Sequence, residues 1–415
     1  MNKKLQIISE KSGLIAAIIF AVLLPYNMLY STVAIYLIVL IAILSFRKEK
    51  LKRIPKESIL FSGIFLLSLS GYYYSTDIGR AGYLLERQLT IIVFPFLLPL
   101  AFEINSKNLK LIFRFFSLSC IFAVIYLFGL CLYNLQINHL PISSLSLPHF
   151  YHHNFSQPIN IHAGFLSLYI SLAISYIIYE MSKVTKPVKF ICLLAIFLLC
   201  GGLYFLASRN SIIAVLLVIC FVFPVFMAGK KRLVVILITF SVAAIFLFFG
   251  KNSNYLNQRF SKELLGDLQI NSLNAKVYPE SRIVRWQCAI DLIKQKPYFG
   301  YGTGDEIPLL KNEYRKRKMW VSYFEEFNTH NQYLAITLKH GFLGLFLFIS
   351  MLCFFFYLSI KSGSFMYFSF LFLLTVGFFT ENIIDANKGI FFFAFFNTLL
   401  GYQILNNKTQ KKQTI

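Results

Sequence analysis

The sequence predicts an all-α polytopic membrane protein with about twelve transmembrane helices, and three observations carry that reading. The chain is 57% hydrophobic over 415 residues, with a mean hydropathy of +0.65. Only 14% of it is charged, against about 25% in a soluble protein. Its apolar residues gather into runs bounded by charged punctuation, most of them long enough to cross about 30 Å of hydrocarbon.

In order, the runs lie near 13–30, 32–46, 59–74, 89–104, 111–133, 161–181, 189–207, 211–228, 233–249, 330–357, 365–380 and 389–405. The second is short and must recruit flanking residues. Met1-Asn2-Lys3-Lys4 precede an apolar run with no small-residue cleavage site after it, which reads as a retained first span.

The connections alternate in charge. Arg47-Lys48-Glu49-Lys50-Leu51-Lys52-Arg53, Lys107 with Lys110, Lys183 with Lys186 and Lys189, and Lys230-Lys231-Arg232 fall on one side. Lys361, the tail lysines Lys408, Lys411 and Lys412, and the N-terminus join them. The Lys/Arg bias makes that side cytoplasmic. The connections near 75–88, 134–160, 208–210, 250–329 and 381–388 are then external. The net charge of +22 follows from the same bias and calls for no nucleic acid partner; the bilayer is the partner it implies. Three blocks result: spans one to nine over 1–249, a large external loop over 250–329, and spans ten to twelve with the tail over 330–415.

That loop is the one long hydrophilic stretch. It holds 13 of the 40 Lys+Arg and nine of the 18 Asp+Glu. Glu280-Ser281-Arg282-Ile283-Val284-Arg285-Trp286 opens an expected amphipathic helix, ending near Pro297, which has no N–H to continue it. A glycine-rich turn, Gly300-Tyr301-Gly302-Thr303-Gly304, follows; it does not sit between a strand and a helix and is no nucleotide loop. Six of the seven cysteines lie in apolar runs and Cys288 is alone in the loop, which excludes a disulfide within it. No cysteine or histidine spacing indicates a metal, and no motif indicates a cofactor. His139, His149, His152 and His153, in the 134–160 connection, have no cysteine or carboxylate beside them and read as polar loop residues.

Four external features carry chemistry. Ser208-Arg209-Asn210 places an arginine in the shortest external connection, where it faces an aqueous cavity or snorkels to the interface. Arg282 and Arg285, three apart, share a helix face. That is either a solvated face or a pair of guanidinium forks for phosphate oxygens. His330 heads a span, with Asn328 or Thr329 as the expected N-cap. The positive end of the helix there favours neutral imidazole and a general base; an interfacial histidine is the plain alternative. Glu381 in the last external connection either orients a base, balances arginines or caps the next helix, as does Asp385. Arg80 and Arg87, with Glu86, add charge to the connection near 75–88.

Together these features resemble the O-antigen ligase family of bacterial inner-membrane proteins, whose superfamily includes the O-antigen polymerases. The residues carrying the resemblance are Ser208-Arg209-Asn210 before a span and Arg282 ahead of Lys296-Pro297-Tyr298-Phe299-Gly300. His330-Asn331-Gln332-Tyr333-Leu334, running into Gly341-Phe342-Leu343-Gly344-Leu345, completes them. The resemblance implies a C-type glycosyltransferase fold that is inverting and metal-independent. It also implies an undecaprenyl-diphosphate-linked glycan donor and a lipid A–core oligosaccharide acceptor, met at the periplasmic face of the inner membrane. On it, Arg209 and Arg282 take the diphosphate and His330 takes the proton of the acceptor hydroxyl. Arg285, Arg80, Arg87, Asn331, Tyr333 and Glu381 are the further substrate-binding candidates. Rival readings are an O-antigen polymerase with the same donor, a protein O-glycan ligase, and a secondary transporter. Against the transporter, the charges cluster outside rather than at the midplane, and the 250–329 loop breaks any repeat.

Overall fold

The computed structural model describes residues 3–181, 183–226 and 281–413. Every regular element among them is helical, and no strand occurs among the described residues. The expected span near 233–249 and the loop residues 251–280 lie outside the described residues.

The first half runs α1 (Lys3–Leu23), α2 (Met28–Leu44), α3 (Gly63–Tyr72), α4 (Ile78–Ala101), α5 (Ser106–Ile137), α6 (Ala163–Met181), α7 (Lys186–Leu206) and α8 (Arg209–Leu217). A π-helical turn, Val218–Val222, continues α8 to Phe226. After the gap come α9 (Arg282–Gln295), α10 (Glu306–Lys316), α11 (Trp320–Phe324), α12 (Gln332–Lys361), α13 (Phe365–Gly377) and α14 (Asn387–Gln413). Seven of the described helices are long and apolar enough to cross a membrane: α4, α5, α6, α7, α8 with its extension, α12 and α14. α2, α3 and α13 are shorter apolar helices.

Local sequence sets where these helices begin. Asn27, Asp77 and Asn105 each accept a backbone N–H of the first turn, at 2.9 Å, from Leu29, Arg80 and Asn108. The Asp77 cap corrects one expectation. Because α4 starts at Ile78, Arg80, Glu86 and Arg87 lie on a helix rather than in a loop. The connection near 134–160 is likewise shorter, since α5 runs to Ile137 and is followed by single helical turns.

α14 is the hub of the bundle. Its Phe392 and Phe396 meet Phe116 of α5, Tyr169 of α6 and Phe370 of α13, with ring centroids 4.8 to 6.4 Å apart. Between apolar spans, such packing and internally satisfied polar groups replace the hydrophobic drive of a soluble core. Pro99 cannot give the N–H that would bond the Pro95 carbonyl, and the Tyr402 hydroxyl donates to that carbonyl instead, at 2.8 Å. Ser167, Ser171 and Ser175 on α6, all buried, return their hydroxyls to the carbonyl one turn back at 2.7–2.8 Å. The Lys388 ammonium is met by the Leu24 carbonyl and the Ser31 hydroxyl, both at 2.9 Å.

The polar segment, where described, is itself helical. α9, α10 and α11 close over a small core of Cys288, Leu292, Leu310, Tyr314 and Met319, with Leu338 of α12. α9 ends at Gln295, ahead of Pro297 as expected, and the glycine-rich stretch is a turn. That turn plugs into a break in α12. Gly341 has φ 66°, and a Cβ there would lie 2.1 Å from the Tyr298 carbonyl oxygen. Across the break, Tyr301 and Gly302 donate to the carbonyls of Leu338 and Lys339 at 3.0 and 2.9 Å. Phe342 and Leu343 donate back to Pro297 and Tyr298 at 2.7 and 3.3 Å.

Candidate active site

A cavity of about 70 Å³ opens where the starts of α6, α8 and α9 meet the turn between α13 and α14. Arg209, Arg282 and Glu381 all line it, although 172 residues separate the first from the last.

Arg209 is the first helical residue of α8, following Ala207 in a left-handed conformation at φ 47°. Its neighbour Asn210 donates a hydrogen bond to the Thr380 hydroxyl and also lines the cavity. That bond ties the Ser-Arg-Asn turn to the residue before Glu381. Arg282 is the first residue of α9, behind Ser281, whose side chain accepts the Val284 N–H at 3.4 Å.

Glu381 joins the groups together. One oxygen lies 3.6 Å from Arg282 Nη2, and the other lies 3.2 Å from His330 Nδ1. Burial alone would push the Glu381 carboxyl up. The hydrogen bond from His330, with His330, His162 and the Arg282 guanidinium close by, outweighs burial and brings it down to about 2. A charged carboxylate can only accept, so Nδ1 of His330 carries the proton and Nε2 is left as the basic nitrogen.

His330 does not begin the helix as expected. Asn331 is the N-cap of α12, accepting from the N–H groups of Tyr333 and Leu334 at 3.0 and 3.1 Å. The shorter Asn side chain reaches those amides, while His330 stands one residue further out at φ 44°. Its own N–H donates to Asn328 Oδ1 at 2.9 Å. The imidazole is thus oriented by a carboxylate rather than by the end of a helix.

A buried polar network fixes this turn from below. Lys339 on α12, 2% exposed, lies 2.7 Å from Asp385 and 3.4 Å from Glu306. Glu306 also accepts from the Thr329 N–H and hydroxyl and from Asn382, at 3.0–3.2 Å. Asn382 in turn accepts the Asn331 N–H at 2.9 Å. The residues flanking His330 and Glu381 are therefore held by the same three charges. Trp286 adds a bond from α9 to the Thr329 carbonyl at 2.9 Å.

The other candidates lie outside the residues that line this cavity. Arg285 is buried with its guanidinium 4.8 Å over Phe327, whose ring is in turn edge-on to His330. Arg80 pairs with Glu326 at 3.0 Å. Arg87 donates to the Asp385 carbonyl and to the Tyr83 hydroxyl. Tyr333 donates to the Thr375 carbonyl at 3.1 Å, pinning α12 to α13. Two further histidines, His152 and His162, do line the cavity. The signal for His162 was a lone histidine at the start of the apolar run near 161–181. Among the described residues, no three His, Cys, Asp or Glu side chains are grouped to hold a metal ion.

Fold and site together define a polytopic helical membrane protein whose charged groups converge at one end of the bundle, around a carboxylate-held imidazole. Residues 194–349, from α7 to the middle of α12, match the family model described as O-Antigen ligase. The match supports a function of the O-antigen ligase or polymerase type, in a family of glycosyltransferase-like enzymes. No curated protein matches the chain.

Proposed function

We propose that the chain is an O-antigen ligase, transferring a glycan from undecaprenyl diphosphate to the lipid A–core oligosaccharide at the periplasmic face of the inner membrane. The single observation that supports this most is Glu381 bridging Arg282 and His330 beside Arg209. An inverting transfer needs a base on one side of the anomeric carbon and a charge sink on the other.

In this reading His330 Nε2 takes the proton of the acceptor hydroxyl as its oxygen attacks. The bond from the anomeric carbon to the diphosphate oxygen breaks, and the electron pair leaves with the diphosphate. Arg209 and Arg282 receive that charge, so no divalent cation is required. Glu381 holds the imidazole in its basic tautomer and stabilises the imidazolium that forms, the role a carboxylate plays behind other catalytic histidines. In this reading the described part of the external segment, 281–329, which brings Arg282 to the cavity, helps keep water, the competing acceptor, from the sugar.

The test is the surface glycan of a deletion strain carrying the wild-type gene, His330→Ala, His330→Gln or no gene. Full-length lipid-linked chains that accumulate unattached in all but the wild type are the expected result. General-base loss costs about 10²–10⁴-fold, and glutamine, which takes no proton at neutral pH, should rescue nothing. Attached single-repeat products in the deletion strain would instead mark a polymerase. Normal glycan in the His330→Gln strain would remove the base assignment.

A further inference from the structure

We propose that His162 is a further catalytic residue, donating a fixed hydrogen bond from Nε2 to the departing diphosphate. This rests on the transfer reaction proposed above.

His162 stands at the mouth of α6 and lines the cavity shared by Arg209, Arg282 and Glu381. Its carbonyl accepts the first bonds of the helix, from Phe165 and Leu166 at 3.0 and 3.2 Å, so it occupies the N-cap position. Its ring caps the helix too: Nδ1 accepts the Gly164 N–H at 3.2 Å. The contact has a chemical consequence. A nitrogen that accepts carries no proton, so the neutral ring bears its hydrogen on Nε2. His153 repeats the pattern, its Nδ1 taking the Ala163 N–H at 3.5 Å, and its ring centroid lies 4.2 Å from that of His162.

His330 and His162 are therefore held in opposite tautomers by opposite partners. Glu381 accepts from Nδ1 of His330 and leaves its Nε2 basic; the Gly164 amide donates to Nδ1 of His162 and leaves its Nε2 a donor. His162 is exposed toward the cavity, and desolvation by the surrounding protein, with His330 and Arg282 nearby, lowers its pKa against the opposing pull of Glu381, which favours the neutral ring. A neutral ring cannot usefully release its only N–H proton, because imidazolate would result. His162 thus exchanges no proton: the acceptor proton goes to His330, and the diphosphate departs as an anion whose oxygen receives the hydrogen bond.

The alternative is that His162 is only a helix cap, and two substitutions separate the roles. His162→Asn keeps a strong N-cap but has no atom where Nε2 lies. His162→Gln places an amide nitrogen near Nε2 but caps poorly. Transfer is measured on the purified full-length protein, with inhibition by undecaprenyl diphosphate as a second readout. A catalytic donor predicts that His162→Asn melts like wild type, loses about 10²–10³-fold in kcat and binds undecaprenyl diphosphate more weakly, while His162→Gln recovers most of the rate. Full activity in His162→Asn, or equal loss in both variants, overturns the proposal. His330→Ala is run beside them. If it is inactive while His162→Asn is active, only the His162 assignment fails; if His330→Ala is active, the transfer mechanism itself fails.

Discussion

Glu381 holds His330 through Nδ1 at 3.2 Å, although 51 residues separate them. Its other oxygen holds Arg282, so the proposed base and one proposed charge sink share a single carboxylate.

Glu381→Gln should therefore cost more than either contact alone. An amide can turn either end to Nδ1, which frees the imidazole to adopt the wrong tautomer, and the paired arginine loses its counter-charge. A fall in kcat of about 10²–10⁴-fold is expected, with the protein still expressed. In the wild type, the carboxyl at about 2 keeps its charge throughout the range above its ordinary 4.5. A folded-state pKa lowered in this way adds stability at pH above 4.5, lost only as pH falls toward 2. Glu381 itself should then contribute no titration to the rate between about pH 5 and 8. An unchanged rate in the glutamine variant would reduce the carboxylate to scaffold.

Arg209→Lys and Arg282→Lys should each lose about 10²–10³-fold in transfer. Lysine keeps the charge but not the planar fork. At position 282 the difference is concrete: one guanidinium nitrogen is spent on Glu381, and the others remain for phosphate oxygens. A lysine has one charged nitrogen for both tasks. Steady-state kinetics with purified protein decide this, and wild-type turnover in both variants would return these residues to the role of interfacial charge.

Lys339→Met should destabilise the fold rather than merely slow it. Removing the buried ammonium leaves Glu306 and Asp385 facing one another without compensation, which costs about 3–5 kcal/mol in comparable buried pairs. The thermal midpoint in detergent should fall, and adding Asp385→Asn should recover part of it. An unchanged midpoint would show that the network carries no net stability.

Asn312→Cys tests the orientation of the bundle. Asn312 is exposed on α10, the same body that presents Arg282. It should react with an impermeant thiol reagent in intact spheroplasts, above the background of the native cysteines. Labelling only after lysis would put the cavity on the cytoplasmic side and end the proposed reaction.

The helical class and the converging residues were legible because charge is conspicuous in an apolar chain. Arg209, Arg282, His330 and Glu381 stood out individually, and the fold brings them to one place. Spacing did not give direction. Arg285 lies three residues after Arg282, about 60° short of a full turn, and that offset aims it at Phe327 instead of the cavity. That Arg80 and Arg87 sit on a helix was not legible, because the Asp77 cap that starts α4 ahead of them is a single polar atom. The network of Glu306, Lys339 and Asp385 was not legible at all. Its members come from three separate stretches, and Lys339 alone, a charge inside an apolar run, hinted at it.

The break at Gly341 also bears on how the protein is made. A helix with a broken ladder enters hydrocarbon with open backbone groups, each costing several kcal/mol. Residues 297–302, which close all four of those bonds, leave the ribosome before residues 338–343 do. The plug is thus synthesised ahead of the gap it fills, and α12 completes its backbone by docking on chain already present. Excising or transplanting the outer segment would therefore strand a span in mid-insertion as well as remove Arg282.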